Sequence, residues 1–355
     1  MNEGLMDERL MDERLMDERL MNERLRPSNL SEILDRTAQI YRSRFLIFLG
    51  IAVIPTAALL VFVGVAAVAF LRWGSKGAAS VSPATVGLLA LAVAGGLILI
   101  VLPVMAATSA LATAAMNHAA SRAFLGQKTT IRGSYQAAWR RGWRALGLYV
   151  FEFFAVWVLP IAAWSGLVAL TAGLAAIAQS AGLGGGGLFL LAGFLAIASL
   201  VVYGVWMSLR LSLAFPACVV EQIGPWNALR RSGALTHGTK GRILLLYLLA
   251  AVLNWLLSMA VTFPMTIVVA LFPGSDNPQH AQTAAAVLLL AAYGAAFVVQ
   301  ALTRPVYGIA LMLFYYDQRI RQEGFDIEWM MLRAGLLVPP QQQAEIPNRA
   351  IGDQA

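Results

Sequence analysis

The chain has one cysteine, Cys218, and three histidines among 355 residues. A lone thiol allows no intrachain disulfide and no site built from clustered thiolates. His118, His237 and His280 are scattered, none in an apolar run or beside an acid at ligand spacing, so no metal or other cofactor is expected. Catalytic patterns are missing too. Ser134 and Ser165 lie outside any G-x-S-x-G elbow, the glycines at 184–187 have no Lys in P-loop order, and Asp317 has no second intramembrane aspartate with which to share a proton. No enzyme is expected.

Charge is scarce, at 13% against 59% hydrophobic residues. Acids are scarcer beyond the start: ten of the 19 fall in the first 35 positions, and residues 36–355 hold 21 Lys or Arg against nine acids, a net of +12. Anionic lipid is the expected partner of that surplus, since it lies at the right depth beside any membrane segment; nucleic acid is not.

Long apolar stretches are abundant. Six runs cover residues 45–71, 85–116, 146–178, 188–220, 243–272 and 283–314, each longer than the roughly 20 residues that cross a bilayer core. Tilt, kinks or extension into the headgroup layer absorb the excess. The polar segments before, between and after these runs carry eight, two, six, none, four, none and four Lys or Arg. Basic loops stay cytoplasmic, so the alternation predicts six spans with both termini inside a bacterial inner membrane. No secretory signal peptide is visible, and the first run is expected to serve as an uncleaved insertion signal.

The expected fold class is all-α, a polytopic membrane protein of six transmembrane helices arranged as three hairpins with cytoplasmic interfacial amphipathic helices. Three basic, aromatic-bearing stretches support this: one entered through Ser31 as N-cap, one beginning at Ser134 and one at Trp226, each leading into an apolar run that holds a proline (Pro55, Pro160, Pro264). Val-Tyr-Gly recurs at 202–204 and 306–308, which suggests three repeats of roughly 90 residues. Residues 1–25 are five tandem pentapeptides, read as a low-complexity expansion or an upstream start with Met21 a candidate beginning, a partner-binding helix being the alternative; 26–336 are expected to form the membrane domain and 337–355 a disordered polar tail.

Ionisable groups inside a bilayer are costly and mark function by default. Glu152, Arg210, Asn254, Gln300 and Arg304 form an expected intramembrane polar cluster. At the helical rise, Glu152 lies about 12 Å past Arg144, Arg210 about 15 Å and Arg304 about 18 Å from the inner boundary. Two readings stay open: Glu152 pairs with an arginine and fixes hairpin packing, or an unmatched guanidinium binds an anion such as a lipid phosphate. A cytoplasmic cluster of Arg230, Arg231, Arg242, Asp317, Arg319, Arg321 and Glu323 is expected at the inner surface, with Asp317–Arg321 and Arg319–Glu323 at i,i+4. Tyr315 and Tyr316 are expected in the aromatic belt. Gly324 should end the last helix, and Asp326 should cap an amphipathic one bearing Ile327, Trp329, Met330, Met331 and Leu336.

The run YYDQRIRQEGFDIEWM (315–330), Arg210, Pro216 and Glu221 ahead of WNALRRSGALTHGTKGR (226–242), and LRPSNLSEILDRTAQIYR (25–42) resemble the membrane domain attached to some bacterial glycerophosphoryl diester phosphodiesterases, many relatives of which stand alone. The resemblance covers residues 25–336. It implies a helical multi-span fold and a link to lipid or glycerophosphodiester metabolism. It does not imply phosphodiesterase activity, which resides in a separate barrel with paired histidines and metal-binding acids, and it carries over no functional residues. Two functions are therefore expected to compete: a non-enzymatic protein binding anionic lipid or scaffolding partners at the cytoplasmic face, or a transporter or flippase-like carrier with a polar site in the inner half of the bundle.

Overall fold

The structure, a computed structural model, describes residues 26–77, 83–182, 186–271, 278–324, 327, 330 and 331. The pentapeptides, the polar tail and the expected roles of Asp326, Trp329 and Leu336 lie outside the described residues. No strand occurs among the described residues.

Helix α1 (Leu30–Ser43) starts earlier than the sequence suggested. Glu32 accepts the Asn29 amide at 3.1 Å, so a capping pattern begins at Asn29 and Ser31 falls in the first turn. Ile33 and Thr37 are buried. The chain then bends by 86° into α2 (Phe45–Gly77), at Arg44, whose guanidinium donates to the Gln127 carbonyl at 2.6 Å and to Thr129 Oγ1 at 3.0 Å. Near-perpendicular entry suits an amphipathic helix lying along a surface before a span.

Helix α3 (Pro83–Phe124) and the short α4 (Ile131–Trp139) follow. Thr130, which accepts the Gly133 amide at 3.1 Å, caps α4; Ser134, expected to open it, is buried inside it. At Gly50, α2 and α4 come close, the end of the Ile131 side chain lying where a Cβ would stand.

Helix α5 (Gly142–Phe153) runs through a π-helical turn (Phe154–Val158) into α6 (Leu159–Ser180). Pro160 has no N–H to offer the preceding turn, and the Leu159 amide reaches back five residues to the Phe154 carbonyl instead. Helix α7 (Gly186–Leu211) breaks before the short α8 (Ala214–Val220). Helix α9 (Pro225–Leu235) starts on Pro225, one residue before the expected Trp226, because proline suits the first helical position. Helices α10 (Lys240–Leu271) and α11 (Pro278–Glu323) follow. Gly324, at φ +65°, ends α11 as expected, its amide bonding the Ile320 carbonyl at 3.2 Å.

Among the described residues four helices are long and apolar enough to cross a membrane: Gly142–Ser180, Phe189–Val220, Lys240–Pro264 and Gly294–Glu323, or five if the bent pair Leu30–Ser43 and Phe45–Ala58 is one broken span. Sequence neighbours pack together, α2 on α3, α6 on α7 and α10 on α11, while α11 also runs against α1, α2 and α3.

Among the described residues, burial is concentrated at the end of the bundle that carries the basic segments. Phe48, Ile51, Ala115, Leu213, Leu235, Ile243, Met312 and Phe314 form one core there, whereas α6 buries no residue. Tyr315 and Tyr316 belong to this core and not to a belt. Both are almost fully buried, because their side of α11 faces α3 and α8; one hydroxyl donates to Glu221 and the other shares a hydrogen bond with Ser121, each at 2.7 Å. Exposed aromatics at this end include Trp139, Trp143 and Trp226.

Candidate functional site

The bundle places Glu152 and Arg304 in one cavity. Glu152 comes from the last turn of α5, just before the π turn, and Arg304 from α11, one residue ahead of Pro305. The cavity measures about 310 Å³, and Thr113, Asn117, Tyr149, Tyr247 and Tyr307 supply more of its wall. Ser208, Ser212 and Phe215, where α7 gives way to α8, close another side.

Its polar groups are incompletely matched. Arg304 donates from Nη2 to Thr113 Oγ1 at 3.2 Å, and among the described residues it forms no ion pair with Glu152. Glu152 faces Tyr247 and Tyr307, whose rings lie 4.7 Å apart. Asn117 donates to the Thr113 carbonyl at 2.9 Å, yet its buried Oδ1 lacks a partner among the described residues. The buried Tyr307 hydroxyl stands near that of Tyr247, with no hydrogen bond of good geometry among the described residues. Buried polar groups are ordinarily satisfied, and a cluster of exceptions around two ionisable side chains needs a cause.

A second cavity of about 540 Å³ adjoins the first and shares Val156, Trp157, Ser208 and Tyr247 with it. Its remaining lining is almost wholly apolar, including Ile161, Leu200, Val205 and Leu248. The π turn sits at this junction. A polar chamber thus opens beside an apolar groove, an arrangement matched to a molecule with a charged head and a hydrocarbon tail.

The other three members of the expected cluster stand elsewhere. Arg210 is exposed and lies over the Trp206 ring, 5.4 Å from its centroid; the break after Leu211 leaves it in the last turn of α7, at the surface. Asn254 is exposed and accepts a hydrogen bond from Thr303 at 3.1 Å, tying α10 to α11. Gln300 is exposed. Tyr149, Tyr247 and Asn117 were not singled out from sequence, and Tyr307 only as part of the Val-Tyr-Gly recurrence, since tyrosines and small polar residues near span ends read as ordinary anchoring and packing.

The cluster expected at the inner surface separates into two networks. Asp317, 3% exposed, accepts from Arg321 at 3.0 Å, from Arg242 at 3.4 Å and from the Ser28 amide at 2.8 Å. Both arginines also hold the Ser28 carbonyl, at 2.9 and 3.1 Å. In the second network, Arg231 bridges Glu221 at 2.9 Å and Glu323 at 2.6 Å; Tyr315 donates to Glu221, and Arg319 pairs with Glu323 at 3.2 Å. Arg230 is exposed and has no ion-pair partner among the described residues. These carboxylates are saturated by protein donors, so the networks fasten elements together and leave the Glu152–Arg304 cavity as the candidate site. No protein-family model, curated protein or solved structure matches the chain.

Proposed function

We propose that this chain is a non-enzymatic integral membrane protein that binds, and carries between leaflets, an amphiphile with a charged headgroup. In this reading six spans form three hairpins, each entered through an interfacial helix, with both termini on the cytoplasmic side of a bacterial inner membrane. Arg304 takes an anionic group of the ligand, for which its planar fork is suited. Glu152 takes a hydrogen-bond donor or cation, and the tail occupies the apolar groove. The supporting observation is that Glu152 and Arg304 line one chamber without pairing, next to that groove. A scaffold core would instead close the arginine on the acid, because an isolated charge in the bilayer is costly. The resemblance to the phosphodiesterase-linked membrane domain points the same way, toward lipid metabolism.

The test is lipid exchange between leaflets by the purified chain in proteoliposomes, followed with a headgroup-labelled phospholipid, together with mass spectrometry of retained lipids. Arg304→Gln and Glu152→Gln should each cut exchange at least ~10-fold while the protein stays folded. A retained set equal to bulk lipid, with exchange no faster than in protein-free vesicles, would sink the reading.

A further inference from the structure

A separate cavity of about 250 Å³ opens at the basic end, where α4 meets α5, against α3 and the turn after α8. Arg140, Arg141, Arg144, His118 and Gln222 line it, and no carboxylate does. It shares no residue with the Glu152–Arg304 chamber. Arg140 and Arg141 have no ion-pair partner among the described residues, and like charges gathered in one pocket repel. Arg144 spends one N–H on the Gln222 carbonyl, at 2.8 Å.

Gln222 is the one non-glycine with positive φ among the described residues, at +58°. Strain of this kind costs about 1 kcal/mol or more and gathers at ligand-binding turns. Burial, with Arg122 and Arg141 close by, lowers the His118 pKa, so the imidazole is predominantly neutral at pH 7 and can both donate and accept. Trp139 and Trp143 flank the arginines in sequence and are 74% and 87% exposed. Exposed indoles beside arginines are the usual furniture of the headgroup layer.

We propose that this pocket binds a phosphate monoester, presented by a phospholipid headgroup at the cytoplasmic surface. Three guanidiniums offer the forked donors that a dianionic phosphate needs, and the indoles hold the pocket mouth at the depth where such headgroups lie.

Calorimetric titration of the full chain in detergent tests this, with short-chain phosphatidic acid, short-chain phosphatidylcholine and glycerol 3-phosphate as probes. Phosphatidic acid should bind at least ~10-fold more tightly than phosphatidylcholine, whose phosphate is a diester beneath a bulky cation. Arg140→Gln with Arg141→Gln should remove that preference, Arg140→Lys should weaken it partly, and Arg230→Gln, at an arginine that lines neither cavity, should leave it intact. Both substituted arginines are exposed, and an unchanged melting temperature verifies the fold. Glycerol 3-phosphate binding as tightly as phosphatidic acid supports the phosphate site and assigns its ligand to the soluble pool. Equal affinity for phosphatidylcholine, or equal loss in Arg230→Gln, overturns the proposal.

Discussion

The Ser28 amide donates to the Asp317 carboxylate at 2.8 Å across a sequence separation of 289 residues. Arg242 and Arg321 hold the same carboxylate and the Ser28 carbonyl. A single buried acid thus joins the segment before α1 to α10 and α11. Asp317→Asn should destabilise the protein by about 2 kcal/mol, the scale of lost charged hydrogen bonds. Hydrogen exchange should show the Ser28 amide among the first to lose protection.

Glu221 is the hub of the second network, shared by Arg231 and Tyr315. Glu221→Gln and Tyr315→Phe should each cost about 1 kcal/mol, but less together than their sum. The double-mutant cycle should show a coupling of at least about 0.5 kcal/mol; strict additivity in thermal melts would dissolve the network as a unit.

Ser208 lines both the polar chamber and the apolar groove. A bulky side chain there should divide them. Ser208→Phe should therefore leave binding of a short-chain amphiphile near wild type and cut that of a long-chain one at least ~10-fold, the worth of roughly two buried methylenes. A parallel loss for both would place the tail elsewhere.

Glu32 caps the start of α1. Its pKa is lowered, first by the hydrogen bond from the Asn29 amide, against an opposing effect of desolvation, and further by Arg26. A lowered carboxylate pKa gives stabilisation that is complete above the unfolded value and is lost as pH falls through the folded one. Exchange at the Asn29 amide should accordingly rise, relative to its intrinsic rate, below the ordinary carboxylate range. Glu32→Gln should abolish that dependence.

Gln222 at φ +58° should be improved by glycine. Gln222→Gly removes strain worth about 1 kcal/mol or more while adding somewhat less unfolded-chain entropy. Chemical denaturation should show a small gain in stability, with the Arg144 contact to the backbone carbonyl kept.

Sequence legibility followed the range of each interaction. Asp317 with Arg321 and Arg319 with Glu323 are one helical turn apart, and the structure contains both pairs. Glu152 and Arg304 were conspicuous because charge is rare in apolar runs. Arg210 was equally conspicuous, but it lies exposed in the last turn of α7; the signal for the break that follows was Pro216, which cannot bond the Ser212 carbonyl four residues back. Tyr315 and Tyr316 had the composition of a belt; only the approach of Glu221 and Ser121, far away in sequence, makes them core. The Asp317–Ser28 contact is of the same kind, since a backbone amide carries no side-chain signature.

The concentration of burial at one end has a mechanical consequence. Among the described residues, the span Gly294–Glu323 is far more buried than the span Gly142–Ser180, whose α6 portion buries no residue, so close side-chain packing clamps the basic end while α6 stands open to its surroundings. In the proposed membrane setting, lateral pressure in the surrounding leaflet then helps to set how far α6 and α7 stand from their neighbours. The width of the apolar groove becomes a property shared between protein and bilayer.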